Sequence, residues 1–253
     1  MSVYCISDIH GCHEEFLELL GQIQFNPSLD TLYVLGDVID RGDKSLDCLQ
    51  FVWKTKGVHL IMGNHEKMML DYFEKRGDNW FVNGGKETFS ELRALPQDER
   101  EKLIEYVSNC PLYKTISVNG KRYFLSHAGL DPKLPFSRQP QDVLVWGRDE
   151  FYNREALKGY TCIFGHTPTP ILHANNRVSR ALMKYTDILG QTPKPRSDDR
   201  DNCSVWFDTL YNDKICIDCG CVYGGALSAL RLDDGKVFYI KSDRGKNPQK
   251  YTF

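Results

Sequence analysis

The first third of the chain alternates short apolar blocks with helix-period stretches and with loops rich in Gly and Asp. Val3-Tyr4-Cys5-Ile6, Thr31-Leu32-Tyr33-Val34-Leu35 and Val58-His59-Leu60-Ile61-Met62 read as three buried strands. Between them, Glu14 to Leu20 carries apolar residues at helical spacing, and Ser45 to Trp53 reads as a second helix. Continuous apolar strands separated by helices imply a parallel central arrangement covered on both faces. In such sheets the chemistry collects in loops beyond the carboxyl ends of the strands.

Farther along, residues 66–110 are helix-rich, with Leu103 to Val107 as the clearest amphipathic piece. Thr115 to Val118, the Asn119-Gly120 turn and Arg122 to Ser126 carry a hairpin signal. Thr161-Cys162-Ile163-Phe164 is another strand, ending in a Gly-His loop. The stretch 173–202 is polar, with Pro193, Pro195 and clustered charge, and predicts a solvated loop. Its alternative is a lid that uses Arg177, Arg180 and Lys184 to select substrate. The remainder alternates strands around Gly220, Gly224, Gly225 and Asp234-Gly235. Without an internal repeat or a clean linker, the expectation is one domain over 1–253, with a helical insertion at about 66–110.

Composition narrows the class. The chain has 253 residues, and 32 Lys+Arg against 34 Asp+Glu give a net charge of −2. That balance argues against a nucleic-acid polymer or a membrane surface as partner, since both select a basic excess. No apolar stretch approaches the roughly 18–20 residues that span a bilayer, and the N-terminus lacks the pattern of a secretory signal. The expected location is the cytoplasm, with the nine cysteines reduced. Cys216, Cys219 and Cys221 follow a strand-like alternation and predict packing, because no second ligand pair stands at the usual zinc spacing.

The strand ends carry the chemistry. Asp8-Ile9-His10-Gly11 follows the first strand, Gly36-Asp37-Val38-Ile39-Asp40-Arg41-Gly42 the second and Gly63-Asn64-His65-Glu66 the third. Later strands end in His127-Ala128-Gly129 and Gly165-His166-Thr167, so four of the seven histidines occupy such ends. One strand-end Asp is ordinarily a turn former; a joint set of Asp8, His10, Asp37, Asn64, His127 and His166 is a ligand set. Mixed oxygen and imidazole donors suit Mn, Fe or Zn. Asp37, central in the series, is placed to bridge two ions, which lower a water's pKa and neutralise phosphoryl charge. Arg41 offers the planar fork that matches phosphate. His65 is positioned to protonate a leaving alkoxide, with Asp40 holding its tautomer.

These ordered motifs resemble the phosphoprotein phosphatase family of calcineurin-like metallophosphoesterases over roughly Val3 to Ile240. The resemblance implies an α/β fold (α+β in some schemes): a central β-sandwich flanked by helices, with the metals at one edge and the hairpin-rich second half supplying the second sheet. It implies that Asp8, His10 and Asp37 hold one ion, and Asp37, Asn64, His127 and His166 the other. Arg41 and Arg148, with Asn64 and His65, would bind phosphate, while Asp40 and His65 supply the acid. Arg148 lies in Trp146-Gly147-Arg148-Asp149, which looks like the arginine element of the bacterial and phage branch. The implied cofactors are two divalent ions, Mn favoured in vitro and Fe or Zn as alternatives.

The implied reaction is hydrolysis of phosphomonoesters by direct attack of a metal-activated water. Phosphoserine or phosphothreonine in proteins is the leading substrate, phosphotyrosine a further one. The alternative is symmetrical cleavage of a dinucleoside tetraphosphate, because Trp80 to Thr88 and Asp218 to Gly225 resemble segments of both branches. A non-catalytic scaffold of the same fold is the third reading; it would be expected to lack His65, Asp40 or a ligand, and all are present.

Overall fold

The computed structural model describes residues 1–175 and 203–244, so 176–202, with Arg177, Arg180 and Lys184, lie outside the described residues. The three early blocks are β1 (Val3–Ile6), β2 (Thr31–Val34) and β3 (Val58–Leu60), joined through α1 (His13–Gln22) and α2 (Ser45–Lys54). A helical crossover returns the chain to the starting end of the sheet, and β1–β2 and β2–β3 are accordingly parallel. The helix-rich stretch contains α3 (Asn64–Phe73), α4 (Lys86–Ala94) and α5 (Gln97–Ser108).

The hairpin is β4 (Tyr113–Val118) and β5 (Lys121–Ser126). Its turn residues Asn119 and Gly120 both hold positive φ, at 49° and 78°, the requirement of a two-residue hairpin turn. The remaining helices are α6 (Gln141–Trp146), α7 (Asp149–Tyr152) and α8 (Thr169–Asn175). The remaining strands are β6 (Thr161–Phe164), β7 (Trp206–Phe207), β8 (Lys214–Cys216), β9 (Ala226–Arg231) and β10 (Val237–Lys241).

Two five-stranded mixed sheets result, ordered β10-β9-β1-β2-β3 and β4-β5-β6-β8-β7. In the first, the parallel strands β1, β2 and β3 run to one edge and the antiparallel pair β9–β10 lies beyond β1; in the second, parallel β5, β6 and β8 are flanked by antiparallel β4 and β7. The layers form the sandwich that the resemblance implied, with the second sheet covering the inner face of the first. One expectation is corrected. The last hairpin, β9–β10, returns to the first sheet, so the second half of the chain serves both.

Strand periodicity explains how the layers join. Tyr4, Ile6, Leu32 and Val34 face the helices and pack with Phe16, Leu19 and Leu49, whereas Cys5 and Leu35 turn inward. In the second sheet Tyr123, Leu125 and Ile163 meet that inward face, while Phe124, Cys162 and Phe164 pack outward with Leu144, Phe151 and Leu172. The strands read as continuous apolar runs because both faces are buried. Among the described residues no helix is long and apolar enough to cross a membrane.

One carboxylate holds the loops at the sheet edge. Glu66, fully buried in the first turn of α3, accepts the Asp37 N–H at 2.8 Å and the Gly63 N–H at 3.0 Å through Oε2. Its Oε1 accepts the Val38 N–H at 2.8 Å. The loops approach so closely that a Cβ on Gly63 would strike Asp37 Oδ1. Glu66→Ala leaves three buried donors unpaired, each worth about 1–3 kcal/mol, and should lower stability by at least about 3 kcal/mol. Urea unfolding of metal-free protein checks this: the midpoint falls for Glu66→Ala and less for Glu66→Gln, which keeps an acceptor. An unchanged midpoint would remove Glu66 from this role.

Candidate metal centre and phosphate cleft

Because β1, β2 and β3 in one sheet and β5, β6 and β8 in the other are parallel, their carboxyl ends open at a common edge, where the two sheets' loops converge. Asp8 and His10 follow β1, Asp37 to Arg41 follow β2, and Asn64 and His65 open α3 just beyond β3. His127 follows β5 and His166 follows β6. Six of these residues hold left-handed backbone: Asp8, His10, Asp37, Asp40, Arg41 and His166, with φ between 46° and 75°. Such strain persists only where the surroundings impose it. Here the cross-loop bonds from His10 N–H to Asp37 O and from Gly11 N–H to Val38 O, both 2.8 Å, join the Glu66 clamp in imposing it.

Asp37 stands at the middle, 2% exposed. Its Oδ2 lies 3.6 Å from His10 Nε2, 3.4 Å from His127 Nε2 and 3.9 Å from His65 Nε2. Two donor groups share it: His10, Asp37 and His65 on one side, Asp37, His127 and His166 on the other. Asn64 Oδ1 joins the second group, 2.8 Å from His127 Nε2 and 2.9 Å from His166 Nδ1. Asp8 borders the first group, but its Oδ2 accepts the His166 N–H at 3.0 Å and the Ser7 hydroxyl. The structure thus puts His65, rather than Asp8, in the tight triad with His10 and Asp37.

The donor chemistry fits cations. His10 Nδ1 lies 2.9 Å from Ile39 O and His127 Nδ1 2.7 Å from Leu35 O, contacts that orient both Nε2 atoms toward Asp37. Asn64 Oδ1, His127 Nε2 and His166 Nδ1 crowd within 3.2 Å of one another, an arrangement of acceptors that asks for a positive charge between them. His65 Nε2 and His166 Nε2 are buried without a hydrogen-bond partner.

The electrostatics agree. Burial opposes ionisation of Asp37, yet His127, His65 and His10 hold its carboxyl well below the usual range. Burial likewise disfavours a charged His127, but Asp37 and Asp8 raise it to about 10, so a proton sits there when no metal does. Metal entry would expel that proton. Burial and Asp37 push Asp8 up to about 7, opposed by His127. Burial, then Arg41 and His65, holds His10 well below its usual value, leaving a neutral imidazole.

The Asp40–His65 pair is equally enclosed. His65 Nδ1 is 2.7 Å from Asp40 Oδ2, and neither side chain is exposed. Asp40 Oδ2 also accepts the Trp80 indole N–H at 2.8 Å, and its Oδ1 accepts the Thr88 hydroxyl at 2.6 Å. Burial pushes Asp40 up to about 7 and His65 down to about 3.

In front of these donors opens a cleft of ≈ 260 Å³ that Arg41 and Arg148 both line. Arg41 donates to His10 Nε2 at 2.7 Å and stacks on the Tyr223 ring at 5.6 Å. Trp146 stands edge-on to His166 at 5.7 Å and forms the facing wall. All ten residues expected from the sequence therefore reach one edge of the fold, Arg148 at the exposed rim.

Several site residues escaped sequence reasoning. Asp218, buried beyond β8, also lines the cleft; burial, Asp8 and Asp37 push its carboxyl well above the usual range. Its signal was present, a strand-end Asp before Gly220, but it lay inside a segment read only for its resemblance. Glu66, Trp80, Thr88 and Tyr223 stood inside motifs, but they act through contacts between distant loops, and no local pattern gave their partners.

The model of the calcineurin-like phosphoesterase family matches residues 1–190, three quarters of the chain, and this protein belongs to that family. It is a metal-dependent phosphoesterase hydrolase, and the resemblance to phosphoprotein phosphatases stands beside the following relatives. A symmetrical bis(5'-nucleosyl)-tetraphosphatase of Klebsiella pneumoniae is 35% identical over 282 residues, covering 98% of this chain and 97% of that protein. Serine/threonine-protein phosphatase 2 of Salmonella typhimurium is 34% identical over 173 residues, covering 65% of this chain and 78% of that protein. A solved structure of a candidate diadenosine tetraphosphatase aligns with TM-score 0.65 at 21% identity, covering 96% of this chain and 94% of that one, a likeness of fold.

If Asp37 serves both donor groups, Asp37→Asn should weaken two ions together. Protein loaded with Mn²⁺ and desalted should carry two ions per chain by elemental analysis, and the variant should lose both in parallel. Loss of only one ion would overturn the bridge.

Proposed function

We propose that this chain is a dinuclear metal-dependent phosphatase that hydrolyses phosphoserine and phosphothreonine in proteins, by direct attack of water on phosphorus. The observation that carries this reading is the buried Asp40–His65 pair. A proton donor matters most when the leaving oxygen is a poor one, as a seryl or threonyl alkoxide is, and least for the weakly basic phosphate released from an anhydride. Trp80 and Thr88 hold the Asp40 carboxylate at 2.8 and 2.6 Å and so keep the pair aligned for the proton transfer. The similarity to the Salmonella serine/threonine-protein phosphatase supports the same choice.

The residues have these roles in the proposed reaction. Asp8, His10, Asp37, Asn64, His127 and His166 would hold two divalent cations of the Mn, Fe or Zn kind. When bound, such ions lower the pKa of water and offset phosphoryl charge. Arg41 and Arg148 hold the non-bridging phosphoryl oxygens and orient phosphorus for in-line displacement. His65 gives a proton from Nε2 to the departing oxygen, while Asp40 holds Nδ1 and stabilises the imidazolium. No residue becomes phosphorylated.

The second reading, symmetrical hydrolysis of a dinucleoside tetraphosphate, is favoured by the Klebsiella relative, whose similarity runs the full length of the chain. The aromatic cleft walls, Trp146 and Tyr223, are compatible with a nucleobase. Parallel kinetics on phosphoserine, phosphothreonine and phosphotyrosine peptides and on diadenosine tetraphosphate, with Mn²⁺, separate the two. A kcat/KM at least tenfold higher for the peptides is expected; the reverse ranking selects the second reading.

His65→Ala should reduce turnover of a phosphoserine peptide by about 10²–10⁴-fold, and that of an activated aryl phosphate far less, with metal content unchanged. Equal losses, or loss of metal, would make His65 a ligand instead of the acid. Arg41→Lys should remain impaired at full metal occupancy, because an ammonium cannot reproduce the bidentate fork. Wild-type kinetics for Arg148→Ala would remove Arg148 from the phosphate site.

A further inference from the structure

A further donor cluster lies beside the cleft, which its member Cys221 also lines. Cys12 caps the N-terminus of α1, Glu15 is in its first turn, and Cys221 opens the 3₁₀ turn Cys221–Tyr223. Both Sγ atoms and a Glu15 carboxylate oxygen lie within 4.8 Å of one another, and the Cys12 thiol donates to His10 O at 3.7 Å. All three residues are buried, at 0%, 8% and 2% exposed in chain order. The sequence offered no such cluster, because its members come from opposite ends of the chain.

Glu15 supplies the second observation. Its Oε1 accepts Arg244 Nε at 2.7 Å and the Ser242 hydroxyl at 2.9 Å, whereas its Oε2 is buried with no partner. A buried carboxylate oxygen left unpaired is destabilising, and ordinary apolar packing around two thiols does not relieve it. A cation held between that carboxylate and the two sulfurs does.

We propose that Cys12, Glu15 and Cys221 form a third metal site, structural in role, for a thiophilic divalent cation of the zinc class. Thiolate donors select such an ion over Mn²⁺, which prefers oxygen and imidazole. Two thiolates and a carboxylate around a divalent ion leave one net negative charge, and Arg244, already paired with Glu15, balances it. The fourth tetrahedral position falls to a small oxygen donor, and the Ser242 hydroxyl is one such group. The ion would tie the start of α1, two residues beyond His10, to the turn that carries Tyr223 into the cleft. The site is independent of which phosphate ester is cleaved.

Cadmium reports on it directly, since a sulfur-to-cadmium charge-transfer band arises only at thiolates and neither donor group at the sheet edge contains sulfur. Reduced, chelated full-length protein titrated with Cd²⁺ should bind three equivalents, one of them producing that band. The combined Cys12→Ser and Cys221→Ser variant should bind two and show no band. Cys12→Ala with Cys221→Ala serves where the serine pair fails to fold. Glu15→Gln should weaken the band-forming equivalent by about tenfold or more, while Cys219→Ser leaves it unchanged. Zn²⁺ should compete the band away and protect the two thiols from alkylation. Two equivalents with no band in the wild-type protein, a band that survives in either double variant, or alkylation unaffected by Zn²⁺ would overturn the proposal.

Discussion

The site depends on one constraint, the burial of an ionised Asp37 carboxylate. A charge taken out of water must be met by opposite charge or by hydrogen bonds. Here His10, His65 and His127 surround Oδ2, while Oδ1 takes the His65 backbone N–H at 3.0 Å. Those histidines come from three loops and two sheets, so the carboxylate can be held only where both sheets present carboxyl ends side by side. The left-handed backbone at Asp8, His10 and His166 belongs to the same arrangement, because extended loops would carry these side chains past one another. Burial and the crowding of Asp8, Asp37 and Asp218 raise the carboxyl pKa values of Asp8 and Asp218, and added positive charge relieves the crowding. In the metal-free chain the proton on His127 supplies part of that charge.

The helices between β3 and β4 have a purpose within the same economy of charge. Trp80 and Thr88 belong to that stretch, and both donate to Asp40. Trp80 is fully buried in an aromatic group with Tyr72, Phe81 and Phe89, with ring centroids 5.6, 5.6 and 6.3 Å from its own. Packing fixes the indole, the indole fixes the carboxylate, and the carboxylate sets the His65 tautomer. The stretch that looked from the sequence like a helical addition to the sheet therefore fixes the Asp40–His65 pair in place.

Much of the architecture was legible in the sequence because its signals are local. Strands β1 and β6 fall on the predicted residues, and β2, β3, the hairpin and α2 differ from expectation by a few residues at their ends. The strand-end motifs could be read because a parallel strand delivers its carboxyl-end loop to a predictable edge. All ten expected side chains reach that edge for this reason. The layer arrangement was less accessible: an apolar strand buried on two faces reads identically whether helices or a second sheet covers it. The return of β9–β10 to the first sheet likewise follows from pairing β9 with β1, at the other end of the chain.

By itself the sequence determined the strand and helix periods, the Gly-Asp-His loop chemistry and the donor types, and these were enough for the phosphoesterase class. Tertiary structure decided which side chains crowd Asp37, with His65 Nε2 as well as His10 and His127 Nε2 beside its Oδ2. It also decided that Asp218 and Tyr223 enter the cleft, that Trp80 and Thr88 clamp Asp40, and that Cys12 meets Cys221 beside Glu15. The division has a physical cause. Periodicity and turn chemistry act over a few residues and leave a pattern in sequence order, whereas the burial of charge is resolved among side chains that only the packed sheets bring within hydrogen-bonding distance.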